Sequence, residues 1–558
     1  MIDSILDHRA LLQQSYTTAW NWISTVNATK LLRFLPVASL GTAFLGKHPA
    51  VQKDIFKARC ESLIDKIDLE NVTVNFVDYV PSGTKLSLGD IPASCGAAYQ
   101  VAAADVCRLN MVVATSNASE IMLEAWLPRS YKGRFLSAGN SGFSGCIPYL
   151  DLSYGSWMGF ATVAANNGHN GDTGKPFYRN PQVLKDFVYR SLHTGVVVGK
   201  EVTSLFYDEG FDKSYYFGCS TGGRQGLMAV QRFPDDFDGV VAGAPVFNWV
   251  NWISWIANFY QITGPPTADT FLPVSLWEIV RKEVLRQCDQ IDGAKDGIIE
   301  DPDLCHPTFE RLICRHDAEA DNCLTGAQAR TVRKVLSPFY GVNGTLIYSR
   351  MQPGAEIFAA YALCNGIPSH YSEEWFRYVV YNDPSWDVRN FTIHDAAAAL
   401  EQNPYNIQTW DTDLSAFRDA GGKVLVYHGL QDGLISSDNS KLYYSLVAET
   451  MNLPPDELDD FYRFFPISGM GHCSSGDGAN AIGNGYFGYA GSSPEDNVIM
   501  AVVRWVEEGI PPDTLRGTKY VDGIWSPVVY KRKHCRHPRR NVYRGPGKHT
   551  DENAWECI

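Results

Sequence analysis

The chain has 558 residues and a mass of 62.0 kDa, with 45% hydrophobic and 20% charged residues. That composition excludes disordered, collagenous and coiled-coil classes, and the length exceeds one minimal core. A net charge of −14 repels phosphate backbones, so nucleic acid is not an expected partner.

From the N-terminus, residues 1–55 read as an extension or a mis-set signal region. Met1–Trp20 has no basic start followed by an apolar run, whereas Lys30 and Arg33 around Leu31–Leu45 make a signal-like pattern. A start site set too far upstream would explain this, although no internal Met is available to replace it. An amphipathic helix is the plainer alternative. No uncharged apolar run reaches about 18 residues, so no membrane span is expected. The 13 cysteines form no C-x-x-C pair, which leaves buried thiols or disulfides rather than a zinc ribbon. Sequons at Asn27, Asn71, Asn117, Asn343 and Asn390 favour disulfides in a secreted glycoprotein.

Glu120–Leu127, Gly133–Ala138, Phe160–Ala165 and Lys213–Phe217 read as strands, and Arg190–Phe206 and Gly222–Gln231 as helices. The alternation implies βαβ units and a mostly parallel sheet covered on both faces. It stops near residue 245 and resumes with strands at Lys423–Tyr427 and Phe461–Ile467 and a helix over Pro494–Glu508. Residues 56–245 and 419–558 therefore read as one α/β catalytic domain, and 246–418 as an insertion. The basic tail Tyr530–Arg544 runs through Cys535 towards Cys557 and reads as a bridged, solvated surface loop.

The segment KSYYFGCSTGG places Ser220 in a G-x-S-x-G turn between strand and helix. Such a turn lifts the serine Oγ above the sheet, and the helix N-terminus aims free N–H groups at the same spot. A hydroxyl needs a base and an orienting acid, which on this type of sheet follow in the order Ser, acid, His. Asp432, in the loop after Lys423–Tyr427, is the candidate acid. His472, flanked by glycines after Phe461–Ile467, is the candidate base, with His428 as the runner-up. Cys219 precedes Ser220 and Cys473 follows His472. If the serine and imidazole meet, the two sulfurs come within bridging range.

This Cys-Ser…Asp…His-Cys arrangement resembles the fungal tannase and feruloyl esterase family. Further motifs carry the likeness: GCSTGGRQGL at 218–227, FDGVVAGAP at 237–245, HGLQDGLI at 428–435 and the tail CRHPRRNVYRGPGK. It covers roughly residues 55–558 and implies an α/β-hydrolase fold with Ser220 as nucleophile, His472 as base and acid, and Asp432 orienting the imidazole. It also implies bridges Cys60–Cys107, Cys95–Cys146, Cys314–Cys323 and Cys535–Cys557, leaving Cys364 unpaired. For the oxyanion, the amide of Thr221 is the expected first donor, and Gly139 or Asn140 in the glycine-rich loop after Gly133–Ala138 the second.

The 212 residues from Ser220 to Asp432 exceed two βα steps by well over a hundred, enough for a lid. Inside it, Asp289, Asp292 and Asp296 with nearby glycines suit a hard cation or a solvated acidic turn, and the run fails the EF-hand pattern. The resemblance implies structural calcium held by those three side chains and the carbonyls of Ala294 and Ile298, with Cys288–Cys305 closing the loop. No organic cofactor is expected. Trp249, Trp252, Trp255, Phe259 and Tyr260 share one helical face, as lid packing or as a wall for an aromatic acyl group.

The resulting expectation is a secreted serine esterase acting on feruloyl or other hydroxycinnamoyl esters of plant cell-wall polysaccharide. A tannase cleaving galloyl esters is the alternative. A serine peptidase and a silent binding module are the competing classes.

Overall fold

A computed structural model describes residues 54–89, 91–96, 98–315 and 322–558. Residues 1–53, with the signal-like run and the Asn27 sequon, lie outside the described residues, so the extension expected over 1–55 contributes only Asp54 and Ile55.

Among the described residues nine strands form one sheet: β1 Val72–Val80, β2 Val106–Ser116, β3 Ser119–Pro128, β4 Arg134–Ala138, β5 Phe160–Ala165, β6 Lys213–Cys219, β7 Gly239–Gly243, β8 Lys423–Gly429 and β9 Tyr462–Ile467. Their order is β1-β2-β3-β5-β4-β6-β7-β8-β9. The first three pairings are antiparallel and the remaining five parallel. All residues of β5 and β7 are buried, as expected of strands covered on both faces. Exposure alternates along the edge strand β1.

Alternating side chains feed two cores. On one face Val163, Tyr216, Val240 and Val426 meet helices α2 (Ser191–Phe206), α3 (Thr221–Arg232) and α6 (Ser437–Met451). On the other, Tyr215, Val241, Leu425 and Phe465 meet α1 (Tyr149–Met158) and α7 (Val498–Glu508).

Among the described residues, no strand between 246 and 418 joins this sheet. That interval is mainly helical, with α4 (Trp249–Thr263) and α5 (Val274–Cys288) its longest elements, and it builds a third core. The core also takes in Phe143, Phe177 and Phe187 from the preceding segment. Trp249, Trp252, Trp255 and Phe259 are buried within it and Tyr260 is half-buried, so four of the five stripe residues pack the insertion's core.

The tail differs from a solvated loop. It is bridged by Cys535–Cys557, but Arg532 and Arg536 are buried. Arg532 pairs with Glu300 at 2.6 Å and Asp296 at 2.8 Å, and Arg536 with Asp459 and Asp513. The acids of the main body draw these arginines inward, and Pro538, Arg539 and Arg540 stay exposed.

Candidate active site

Strand β6 ends at Cys219 and α3 begins at Thr221, leaving Ser220 between them at φ 65° and ψ −122°. A non-glycine residue there costs on the order of 1–3 kcal/mol and persists only where its surroundings impose it. Here Ser220 N donates to Gly243 O at 2.9 Å, while its carbonyl accepts from Arg224 N and Val246 N. Gly222 permits the close approach, since a Cβ there would lie 2.9 Å from Asn140 O.

Asp432 follows β8 and is fully buried. Its Oδ1 accepts from the amides of Leu434 and Ile435 at 2.9 and 3.0 Å. Its Oδ2 accepts from His472 Nδ1 at 2.8 Å and His428 Nε2 at 3.2 Å. Burial alone would raise this carboxyl, but the facing His472 and His428 outweigh it and hold the group well below its usual range. Because Nδ1 of His472 donates to the carboxylate, its Nε2 is left to act as a base. His428 is wholly buried behind Asp432, with Ser440 Oγ on one ring nitrogen and Ile435 O on the other. It supports the acid loop.

The Cys219–Cys473 bridge closes 254 residues with its Cα atoms 6.0 Å apart, so the residue before Ser220 is covalently joined to the residue after His472. No hydrogen bond joins Ser220 Oγ to the imidazole among the described residues. His472 Nε2 instead lies 3.7 Å from Cys473 Sγ. Catalytic contacts of this kind are often long before substrate binds. Cys473 adopts φ 63°, and Asn484 Nδ2 holds its carbonyl at 2.6 Å. The other five bridges join Cys60–Cys107, Cys95–Cys146, Cys288–Cys305, Cys314–Cys323 and Cys535–Cys557, and Cys364 is free and buried.

One expectation is corrected. The amide of Gly139 donates to Phe217 O at 2.9 Å and that of Asn140 to Gln225 Oε1 at 2.9 Å. The β4–β6 ladder runs one residue past the strand, and α3 occupies the next amide, so neither is free for an oxyanion. Thr221, buried at the start of α3, has its side chain bonded to Gly142 O at 2.8 Å. Sequence reasoning missed Gln225 and Asn484, whose partners lie 85 and 11 residues away.

In the acidic loop, Asp289 Oδ1 accepts from the amides of Asp296 and Gly297, and Asp292 Oδ1 from that of Ala294. Asp292 Oδ2 is buried without a hydrogen-bond partner among the described residues, and burial with Glu300 and Asp296 nearby pushes this carboxyl up to about 7. Such an orphaned oxygen fits a hard cation. Asp296, however, is engaged by Arg532, and among the described residues no three His, Cys, Asp or Glu side chains stand grouped to hold a metal ion.

The strained serine turn between β6 and α3, with an acid after β8 and a histidine after β9, defines an α/β-hydrolase. A tannin acyl hydrolase from Aspergillus niger, 22% identical, shares the fold at a TM-score of 0.69 over 90% of this chain and 95% of its own. The chain belongs to the tannase and feruloyl esterase family, whose pattern matches residues 104–558. It is 64% identical to a probable feruloyl esterase B-2 of Aspergillus terreus over 94% of this chain and 98% of that protein. A crystal structure of feruloyl esterase B from Aspergillus oryzae is 55% identical with a TM-score of 0.88, covering 90% of this chain and all of that one. A crystal structure of an esterase from the same organism is 64% identical, TM-score 0.90, with the same coverage.

Proposed function

We propose that this protein is a secreted serine esterase that cleaves feruloyl and related hydroxycinnamoyl esters of plant cell-wall polysaccharide through an acyl-enzyme. The observation that carries the reading is the buried Asp432 bonded to His472, whose loop is stapled by Cys219–Cys473 to the Ser220 turn. The likeness to feruloyl esterase B supports the acyl group.

In this reading Ser220 Oγ attacks the ester carbonyl while His472 Nε2 takes its proton. The oxyanion accepts from the amide of Thr221, with the Ser141–Gly142 turn, tied to Thr221 through the Gly142 carbonyl, as the candidate second donor, and each such donor is worth about 3–4 kcal/mol. The imidazolium, held by Asp432, protonates the departing sugar alcohol. Water then attacks the acyl-serine, returning its proton through His472, and the free acid leaves. Six disulfides and the exposed sequons at Asn71, Asn117, Asn343 and Asn390 support secretion and glycosylation. No helix among the described residues is long and apolar enough to cross a membrane.

A structural calcium belongs to the same reading. The side chains of Asp289 and Asp292, and Asp296 once released from Arg532, would gather with the carbonyls of Ala294 and Ile298 to hold it. Turnover of methyl ferulate against methyl gallate tests the function. Preference for gallate would replace the reading with tannase, and loss of no activity in Ser220→Ala would remove the nucleophile.

A further inference from the structure

The loop 139–146 lies directly on the start of α3. A Cβ on Gly139 would come 2.8 Å from Gly222 Cα, so no side chain separates the loop from the helix that begins at the nucleophile. The inward groups of the loop are taken up one by one. Thr221 Oγ1 donates to Gly142 O at 2.8 Å, Asn167 Nδ2 to Ser144 O at 2.9 Å, and His169 Nε2 to Phe143 O at 2.7 Å. Asn140 Nδ2 donates to both Cys146 O at 3.0 Å and Ala165 O at 2.8 Å, closing the loop on itself and on the end of β5.

One side chain joins this lattice to the nucleophile helix at three points. Gln225, buried on α3 five residues after Ser220, accepts from Asn140 N at 2.9 Å. Through Nε2 it donates to Asn140 Oδ1 at 3.1 Å and Asn167 Oδ1 at 2.9 Å. An amide is the one side-chain group that can accept from the backbone and donate twice on the opposite edge. A carboxylate loses both donors, and an alkyl chain loses everything.

We infer that Gln225 is the positioning residue that sets the oxyanion loop in register with Ser220. It touches neither substrate nor reacting atom and acts through Asn140. The inference rests on the serine esterase reading above. Since about 1 Å of misplacement costs roughly a hundredfold in rate, loosening this register should appear in kcat.

The test uses the full-length enzyme with Gln225→Leu, Gln225→Glu and Asn140→Asp, on methyl ferulate. Expected is a 10- to 100-fold fall in kcat with KM within about threefold of wild type. Affinity for an arylboronic acid, which adds to the serine as a tetrahedral mimic, should fall in step with kcat/KM, while inhibition by free ferulate stays unchanged. In Gln225→Glu the buried carboxyl regains one donor when protonated, so the ratio of variant to wild-type kcat should rise as pH falls. Should Gln225→Leu not fold, the two polar variants carry the test. Wild-type kcat in them, or a fall in thermal stability with boronate affinity intact, would overturn the inference. Ser220→Ala separates the two failures. Full turnover by that variant sinks the esterase reading and this inference with it, whereas a dead Ser220→Ala beside unimpaired Gln225 variants sinks the inference alone.

Discussion

Replacing Cys219 and Cys473 together by serine removes the covalent tie between the Ser220 turn and the His472 loop. The opened loop spans 254 residues, and the chain-entropy relation assigns closure of that length about 5.5 kcal/mol at 25 °C. The nested bridges Cys288–Cys305 and Cys314–Cys323 shorten the loop too little to change this. That figure is a ceiling on the stability lost, because a chain already held by five further bridges and its packed cores has a less expanded unfolded state. The effect on turnover has a different origin. With the tie gone, His472 is still oriented by Asp432, but its distance from Ser220 depends on loops at positive φ such as Cys473. A drift of about 1 Å there predicts a hundredfold loss in kcat. Thermal unfolding of the variant gives the first quantity, and kcat on methyl ferulate, measured well below its Tm, gives the second. A folded variant with wild-type kcat would refute the orienting role.

Further outcomes are expected. Asp432→Asn keeps the shape of the loop but removes the acceptor that fixes the His472 tautomer, so kcat should fall about 10⁴-fold. His534 is wholly buried, and burial lowers its pKa to about 4. Below the unfolded value near 6.5 the unfolded chain takes up a proton that the native chain refuses. Stability should therefore be full above pH 6.5 and decline by about 3 kcal/mol towards pH 4; denaturant titrations at pH 7 and 4.5 check this, and a flat profile would contradict it. Calcium removal by chelation should lower Tm without altering kcat at 25 °C, and Asp292→Asn should abolish the response.

Much of the site was readable because its signals are local. A serine between glycines with strand before and helix after, and a glycine-flanked histidine after the last strand, each fit within about ten residues. The oxyanion loop was misjudged for the opposite reason. A glycine-rich turn advertises close approach, but whether its amides are free depends on Phe217 and Gln225, some 80 residues on. The tryptophan stripe obeyed the same limit, since helical spacing identifies a shared face and is silent about what that face meets. The antiparallel strands β1 and β2 escaped notice because βαβ alternation was the guide, and they belong to no βαβ unit. Strand β7 passed unnoticed because its five residues are too few, and too rich in glycine and alanine, to show a period.

The pairing of Arg532 with Glu300 and Asp296 has a consequence for biosynthesis. The guanidinium is translated 232 and 236 residues after the acids it neutralises, which at 5–20 residues per second is a wait of roughly 10–50 s. Until the ribosome has nearly finished, that stretch of nascent polypeptide carries an unbalanced cluster of negative charge. A message truncated before codon 532 would leave it so permanently, and the last few dozen amino acids thus act as the clasp of the finished chain.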